Sequence, residues 1–171
     1  LLDRDAYRGR ELQNMKIGII GTGRIGKHLY EYFTALKCNI VCWDNNPIAL
    51  NEIPTDQCAS SLDYLLEKSE IIVVSANYKP NSPPLLDSKA FNRIKRGAFL
   101  VNTARAELVD KASLIKSIEC GRLNGYSTDV YWEEQSSQMY DEDLIRLFKA
   151  GYNVFLSPHV GGCTRDAMQA T

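Results

Sequence analysis

Short runs of apolar residues alternate along the chain with longer stretches in which apolar residues recur every three or four positions. The apolar runs predict six buried β-strands: Met15–Ile20, Asn39–Asp44, Ile71–Ser75, Gly97–Asn102, Gly125–Val130 and Asn153–Ser157. The stretches between them predict helices over Ile25–Leu36, Leu62–Lys68 after Ser61, a short segment from Asp87 to Ile94, Lys111–Cys120 after Asp110, and Asp141–Lys149. Further helices are expected near Asp5 and from about Thr164.

Strands that alternate with helices in this way form βαβ units. Such units build a parallel sheet whose two faces are covered by helices. Neither an internal linker nor a repeat interrupts the pattern, so residues 1–171 are expected to form one doubly wound α/β domain.

Composition narrows the functional classes. A length of 171 residues is close to one domain on the prior of about 150 residues per domain. The 20 Lys and Arg residues balance 21 Asp and Glu residues, which argues against nucleic acid or an anionic membrane as the main partner. No apolar run approaches the roughly 20 residues that a membrane span needs.

The five cysteines, which include no CxxC pair, favour free thiols over a disulfide framework or a zinc site. We therefore expect no metal and a reducing compartment, the cytoplasm. The chain begins at Leu1 rather than at Met, so we also expect it to be a piece of a longer protein.

The sequence GTGRIG at residues 21–26 follows the first predicted strand and opens the first predicted helix. In a GxGxxG turn, the first glycine permits a tight turn, the second lets the backbone approach a pyrophosphate, and the third lets helix and strand pack closely. Free amides at the helix start then bind the anion. This arrangement is typical of the dinucleotide-binding Rossmann fold, although glycine-rich turns also end many other strands.

Asp44 strengthens that interpretation, because it ends the second predicted strand 18 residues after Gly26. A carboxylate there can accept hydrogen bonds from both hydroxyls of the adenosine ribose, and it repels a 2′-phosphate. NAD is therefore favoured over NADP as the cofactor. The alternative is that Asp44 is only a turn residue before Asn45-Asn46-Pro47.

Four segments in order resemble the D-isomer-specific 2-hydroxyacid dehydrogenases. They are GRELQNMKIGIIGTGRIG (residues 9–26), GAFLVNTARAELVD (97–110), DVYWEE (129–134) and NVFLSPHVGG (153–162). The resemblance implies an NAD-dependent oxidoreductase that interconverts a D-2-hydroxy acid and a 2-keto acid by hydride transfer. It also implies a homodimer, and a separate substrate domain that this chain lacks.

The resemblance assigns three catalytic residues. Arg105 would bind the substrate carboxylate, His159 would act as the acid and base, and Glu134 would pair with His159. Asp129 would lie near the nicotinamide carboxamide. The residues expected to bind the cofactor are Gly21, Gly23, Arg24, Ile25, Gly26, Asp44, Thr103 and Asp129.

Elementary chemistry agrees with these roles. Hydride transfer to a keto acid builds charge on oxygen, and an imidazolium can protonate that oxygen since histidine changes charge near neutral pH. A neighbouring carboxylate stabilises the charged imidazole. A planar guanidinium binds a carboxylate through two hydrogen bonds.

Each residue also has a simpler interpretation. His159 can be an ordinary loop histidine, and Glu134 can be a solvated side chain, with Glu133 as the partner of His159 if the register slips by one. Arg105 can pair with Glu107 or Asp110.

The chain departs from the usual family pattern at three places. Ala106 replaces a glycine, Gln135 replaces a proline, and the loop after the third strand reads Asn77-Tyr78-Lys79-Pro80. In the family that loop contacts the nicotinamide ribose or the substrate, so this departure leaves the identity of the substrate open.

Two other functions stay open. The first is a non-catalytic NAD-sensing interaction module, as in the corepressor branch of the same family. The second is a different Rossmann enzyme, such as one that uses S-adenosylmethionine, against which NTAR and SPHVGG count.

Overall fold

A computed structural model describes residues 8–132, 134 and 141–169 of the chain. Its six strands are β1 (Lys16–Ile20), β2 (Asn39–Trp43), β3 (Ile71–Val74), β4 (Ala98–Asn102), β5 (Leu123–Thr128) and β6 (Val154–Leu156). Its helices are α1 (Arg24–Ala35), α2 (Leu62–Lys68), α3 (Ser88–Arg93), α4 (Lys111–Glu119), α5 (Glu142–Lys149) and α6 (Arg165–Gln169). The expected helix near Asp5 lies outside the described residues.

The strands form one parallel sheet in the order β2-β1-β3-β4-β5-β6. The chain moves outward from β1 to β2 and then returns past β1 to begin β3. The direction of winding therefore reverses between β1 and β3. In open parallel sheets, ligands bind at such a reversal, outside the carboxyl ends of the strands.

Helices cover the two faces of the sheet unequally. On one face, α1 packs through Leu29, Tyr30 and Phe33 against Ile17 and Ile19 of β1. The larger cluster on the other face includes side chains from α2, α3, α4 and α5. The predicted class, a Rossmann-type doubly wound α/β domain, is confirmed, with most of the helical cover on one side.

Polar caps fix where the helices begin. Ser61 accepts a hydrogen bond from the Tyr64 amide at 3.1 Å, and Asp87 and Asp110 accept from amides in the first turns of α3 and α4. Asp141 caps α5 in the same way. Such a cap stabilises a helix by about 1 kcal/mol relative to alanine, which explains why the predicted starts of these helices lie within one residue of the observed ones.

The observed ends of the fifth strand differ from the predicted ones by more than the helix starts do. The fifth strand, expected over Gly125–Val130, runs from Leu123 to Thr128, because its pairing with β4 begins at Ala98 opposite Leu123.

Within the described residues, none of the helices has the length and apolar character required to cross a bilayer.

Candidate cofactor and active site

The residues expected to carry function lie together at one edge of the sheet. The glycine-rich turn follows β1, Asp44 follows β2, Thr103 and Arg105 follow β4, Asp129 follows β5, and His159 follows β6. Because all six strands are parallel, these segments leave the sheet on the same side.

Steric contacts explain the first and third glycines of the turn. Gly21 has a φ of 91°, in the left-handed region, and a Cβ there would lie 2.5 Å from the backbone of Ala76. A Cβ on Gly26 would collide with the carbonyl oxygen of Gly21. These glycines hold α1, β1 and the end of β3 in close contact.

Gly23 has a different environment, since a Cβ there would meet nothing within 4 Å. This residue is the N-cap of α1, and no side chain caps the helix. The first-turn amides of α1, from Arg24 to Gly26, have no acceptor within the helix itself. Open space beside free amides at a helix N-terminus fits a pyrophosphate.

Asp44 holds the turn in addition to facing the cleft. One oxygen, Oδ2, accepts the Thr22 amide at 2.7 Å and lies 3.3 Å from the Thr22 hydroxyl, and Oδ1 accepts the Asn46 amide at 2.8 Å. A carboxylate offers about four acceptor positions, so this arrangement leaves room for ribose hydroxyls. Asp44 is thus a turn residue and a candidate ribose ligand at once.

Two adjoining clefts run along the carboxyl edge. The larger, of about 650 Å³, is lined by Gly21, Gly23 and Asp44. The smaller, of about 450 Å³, is lined by Ile25, Thr103 and Arg105. Both clefts contain residues 75–78, so together they form a continuous path from the end of β2 to the end of β4. An extended dinucleotide fits this path.

Glu134 and His159 are in contact. The Nδ1 atom of His159 lies 2.7 Å from Oε2 of Glu134, and the two side chains are 43% and 32% exposed. Glu134 is itself oriented, because its Oε1 accepts the Tyr131 amide at 2.6 Å. The described contact is therefore made by Glu134, whereas Glu133, the alternative partner, lies outside the described residues.

Asp129 accepts hydrogen bonds from the loop that carries His159. Its Oδ1 accepts the Ser157 hydroxyl at 2.6 Å and the Val160 amide at 3.0 Å, and its Oδ2 accepts the Gly161 amide at 2.8 Å. Partial burial by itself raises the pKa of Asp129. The hydrogen bonds from Ser157, Gly161 and Val160, together with the nearby His159, outweigh burial and hold that pKa below its ordinary value.

Arg105 lies in the smaller cleft with its guanidinium directed to the Ala104 carbonyl at 2.6 Å. Within the described part of the chain it forms no ion pair with Glu107 or Asp110, so its charge is available to a ligand. Ala106, which replaces the usual glycine, is fully buried in a short 3₁₀ turn and is accommodated there.

Three supporting polar residues were missed by the sequence analysis. The Ser75 hydroxyl donates to the Gly21 carbonyl at 2.7 Å. The buried Asn102 side chain bridges the Arg105 carbonyl and the Ala104 amide, and Ser157 donates to Asp129. Each is a polar residue at the end of an apolar strand, and that position was the available signal.

The remaining predictions concern metals and thiols. All five cysteines are free. Among the described residues, no group of three or more His, Cys, Asp or Glu side chains could hold a metal ion.

This geometry defines a dinucleotide-binding α/β domain, and comparison with known proteins gives its family. The model for the NAD-binding domain of D-isomer specific 2-hydroxyacid dehydrogenases matches residues 2–161. The chain belongs to this family. The predicted cofactor class, NAD, is thereby confirmed.

Individual relatives agree with the family assignment. The chain is 29% identical over 175 residues to a D-specific alpha-keto acid dehydrogenase of Enterococcus faecium, covering 98% of this chain and 52% of the relative. It is 29% identical over 170 residues to a D-lactate/D-glycerate dehydrogenase of Pediococcus acidilactici, covering 94% of this chain and 50% of the relative. The chain therefore spans about half the length of these relatives.

A solved structure gives the same result. D-lactate dehydrogenase of Lactobacillus jensenii, crystallised with NAD+, superposes with a TM-score of 0.82 at 26% identity, covering 98% of this chain and 52% of that chain.

Proposed function

We propose that this chain is the cofactor-binding half of an NAD-dependent enzyme that interconverts a D-2-hydroxy acid and a 2-keto acid. The observation that carries the proposal is the 2.7 Å contact between Glu134 and His159, at the same sheet edge as the glycine-rich turn and Arg105. A dinucleotide site alone fits many enzymes, but a histidine paired with a carboxylate, at the same sheet edge as an arginine with no carboxylate partner among the described residues, fits proton transfer to an anionic carbonyl substrate.

The turn after β1 and Asp44 would bind the cofactor. The first-turn amides of α1 bind the pyrophosphate, and Asp44 accepts the ribose hydroxyls and disfavours a 2′-phosphate. Ile25, which is 60% exposed in the smaller cleft, offers an apolar surface to a nicotinamide ring. Bound NAD supplies the hydride chemistry, and the protein supplies position and charge.

The chain's own residues then handle the substrate and its proton. Arg105 binds the carboxylate of the keto acid and so orients the carbonyl. His159 donates a proton to the carbonyl oxygen during reduction and removes it during oxidation. Glu134 accepts a hydrogen bond from the Nδ1–H group of His159, which leaves Nε2 to exchange the proton with the substrate.

Asp129 takes a different part from the one that the resemblance suggests. Since both of its carboxylate oxygens accept hydrogen bonds from the His159 loop, we assign it first to holding that loop. A hydrogen bond from the nicotinamide carboxamide would use an acceptor position of the Asp129 carboxylate that the loop leaves open.

An assay on the natural protein that carries this chain tests the function. With NADH, we expect reduction of small 2-keto acids such as glyoxylate, hydroxypyruvate and pyruvate, and chiral chromatography of the pyruvate product should give the D isomer. NADH binding without turnover of any of these acids would favour the NAD-sensing module instead. In that case His159→Asn should leave partner binding intact.

The assembly and location remain proposals of the same kind. Homodimerisation rests on the family resemblance, and light scattering of the purified protein measures it. A cytoplasmic location is supported by the five free cysteines.

A further inference from the structure

Tyr131 is a buried aromatic residue that lies beside the candidate catalytic pair. It follows Val130 in the segment after β5, and its side chain is only 4% exposed. A buried tyrosine ordinarily satisfies its hydroxyl with a specific partner, so the position of that partner is informative.

The two polar groups of Tyr131 reach two different parts of the site. Its backbone amide donates to Oε1 of Glu134 at 2.6 Å. Its hydroxyl donates to the carbonyl oxygen of Ser157, also at 2.6 Å. Ser157 lies two residues before His159, at the start of the loop that carries the imidazole.

These contacts close a ring around the catalytic pair. The Ser157 carbonyl that accepts the Tyr131 hydroxyl also accepts the His159 amide, at 3.0 Å. The His159 ring returns to Glu134 at 2.7 Å, and Glu134 returns to the Tyr131 amide. Tyr131 therefore bonds Glu134 directly and is linked to the His159 amide through the Ser157 carbonyl.

The conformation of His159 shows why such support is needed. Its φ is 53°, in the left-handed region that residues other than glycine rarely adopt. A backbone held there costs about 1–3 kcal/mol and persists only where surrounding contacts fix it. The Tyr131 hydroxyl supplies such a contact at Ser157, and the Asp129 carboxylate supplies others at Ser157, Val160 and Gly161.

We propose that Tyr131 is a positioning residue, whose hydroxyl holds the His159 loop while its amide holds Glu134, so that the imidazole and the carboxylate meet. The kinetic part of this proposal rests on the proposed dehydrogenase function. The structural part, that the hydroxyl sets the Glu134–His159 contact, does not.

Tyr131→Phe isolates the hydroxyl. The ring still fills its buried site and the backbone amide still reaches Glu134, whereas the hydrogen bond from the hydroxyl to the Ser157 carbonyl is lost. The matched control is Tyr126→Phe. Tyr126 is a second buried tyrosine nearby, and its hydroxyl forms no hydrogen bond to Ser157, Glu134 or His159.

The first readout is nuclear magnetic resonance of the ring N–H groups. The chain contains two histidines, His28 and His159, so their signals are readily assigned. We expect solvent exchange of the His159 Nδ1 proton to accelerate at least threefold in Tyr131→Phe. The His28 signal should not change, and Tyr126→Phe should match the wild type at both histidines.

The second readout is kinetic, in the natural protein that carries this chain. One net hydrogen bond corresponds to a fall in kcat of about twofold to tenfold for Tyr131→Phe. The dissociation constant for NADH should stay within about twofold, because the glycine-rich turn and Asp44 follow β1 and β2, which two strands, β3 and β4, separate from β5.

The outcomes separate the two proposals. Unchanged exchange of the His159 ring proton in Tyr131→Phe overturns the positioning role, and so does an equal loss of kcat, NADH affinity and thermal stability, which would mark a general structural role. If the wild type reduces no keto acid, the proposed function fails, and the ring-proton measurement alone decides the role of Tyr131.

Discussion

The same substitution, glycine to alanine, should affect the stability of the fold differently at two positions of the glycine-rich turn. Gly23→Ala places a methyl group in open space at the start of α1, whereas Gly26→Ala places one against the carbonyl oxygen of Gly21 and 3.0 Å from the Ser75 hydroxyl. The first change should spare the fold and damage the cofactor site. The second should damage both.

The magnitudes follow from these contacts. Overpacking at Gly26 costs about 1–3 kcal/mol, because the backbone of β1 and α1 must separate. For a chain of this size that corresponds to a fall in melting temperature of about 2–12 °C. At Gly23 the loss is about 0.5 kcal/mol, the difference between glycine and alanine at an N-cap.

Two measurements on each purified variant are sufficient. Thermal unfolding followed by circular dichroism gives the stability, and titration calorimetry with NADH gives the affinity. We expect Gly23→Ala to melt within about 2 °C of the wild type and to bind NADH at least tenfold more weakly, a loss of about 1.4 kcal/mol. Wild-type NADH affinity in Gly23→Ala, or equal stability of the two variants, would refute this account of the turn.

Three further predictions concern charged residues. The guanidinium of Arg10 beside Glu70, helped by Lys95 and the Lys16 amide, lowers the pKa of Glu70 from 4.5 to about 2. Glu70 therefore adds stability that is fully present above about pH 4.5 and is lost as the pH falls toward 2. The urea midpoints of the wild type and Glu70→Gln should accordingly converge as the pH is lowered. A difference in midpoint that does not change with pH would contradict this. His159→Asn should lower kcat by about 10²–10⁴-fold with NADH binding retained, and a smaller loss would exclude His159 as the acid/base. Arg105→Gln should raise the KM for the keto acid by about 10–150-fold, and an unchanged KM would remove Arg105 from substrate binding.

Local signals in the sequence were sufficient to predict the fold. Capping side chains such as Ser61 and Asp110 act within their own turns, so helix starts could be read from them. Strand ends depend on pairing partners elsewhere in the chain, which explains why the fifth strand was placed two residues too late. The unequal helical cover of the two faces also depends on packing between distant segments, so it cannot be predicted from the periodicity of any single segment.

The candidate site divides in the same way. Glycine spacing and Asp44 were visible because one βαβ unit contains them all. Two hydrogen bonds behave differently: Asp129 accepts the Ser157 hydroxyl, and the Tyr131 hydroxyl donates to the Ser157 carbonyl. Each joins residues more than 25 positions apart in the sequence. Such contacts exist only after β5 and β6 pair, so residue types in sequence cannot reveal them.

We expect the carboxyl edge of this sheet to bind NAD, and we expect Asp44 to make the site selective for NAD over NADP. Titration calorimetry of this chain with NADH and with NADPH tests that claim directly. We expect one NADH to bind per chain and NADPH to bind at least about tenfold more weakly, because a 2′-phosphate would meet the Asp44 carboxylate. Absence of NADH binding, or equal affinity for the two nucleotides, would contradict it.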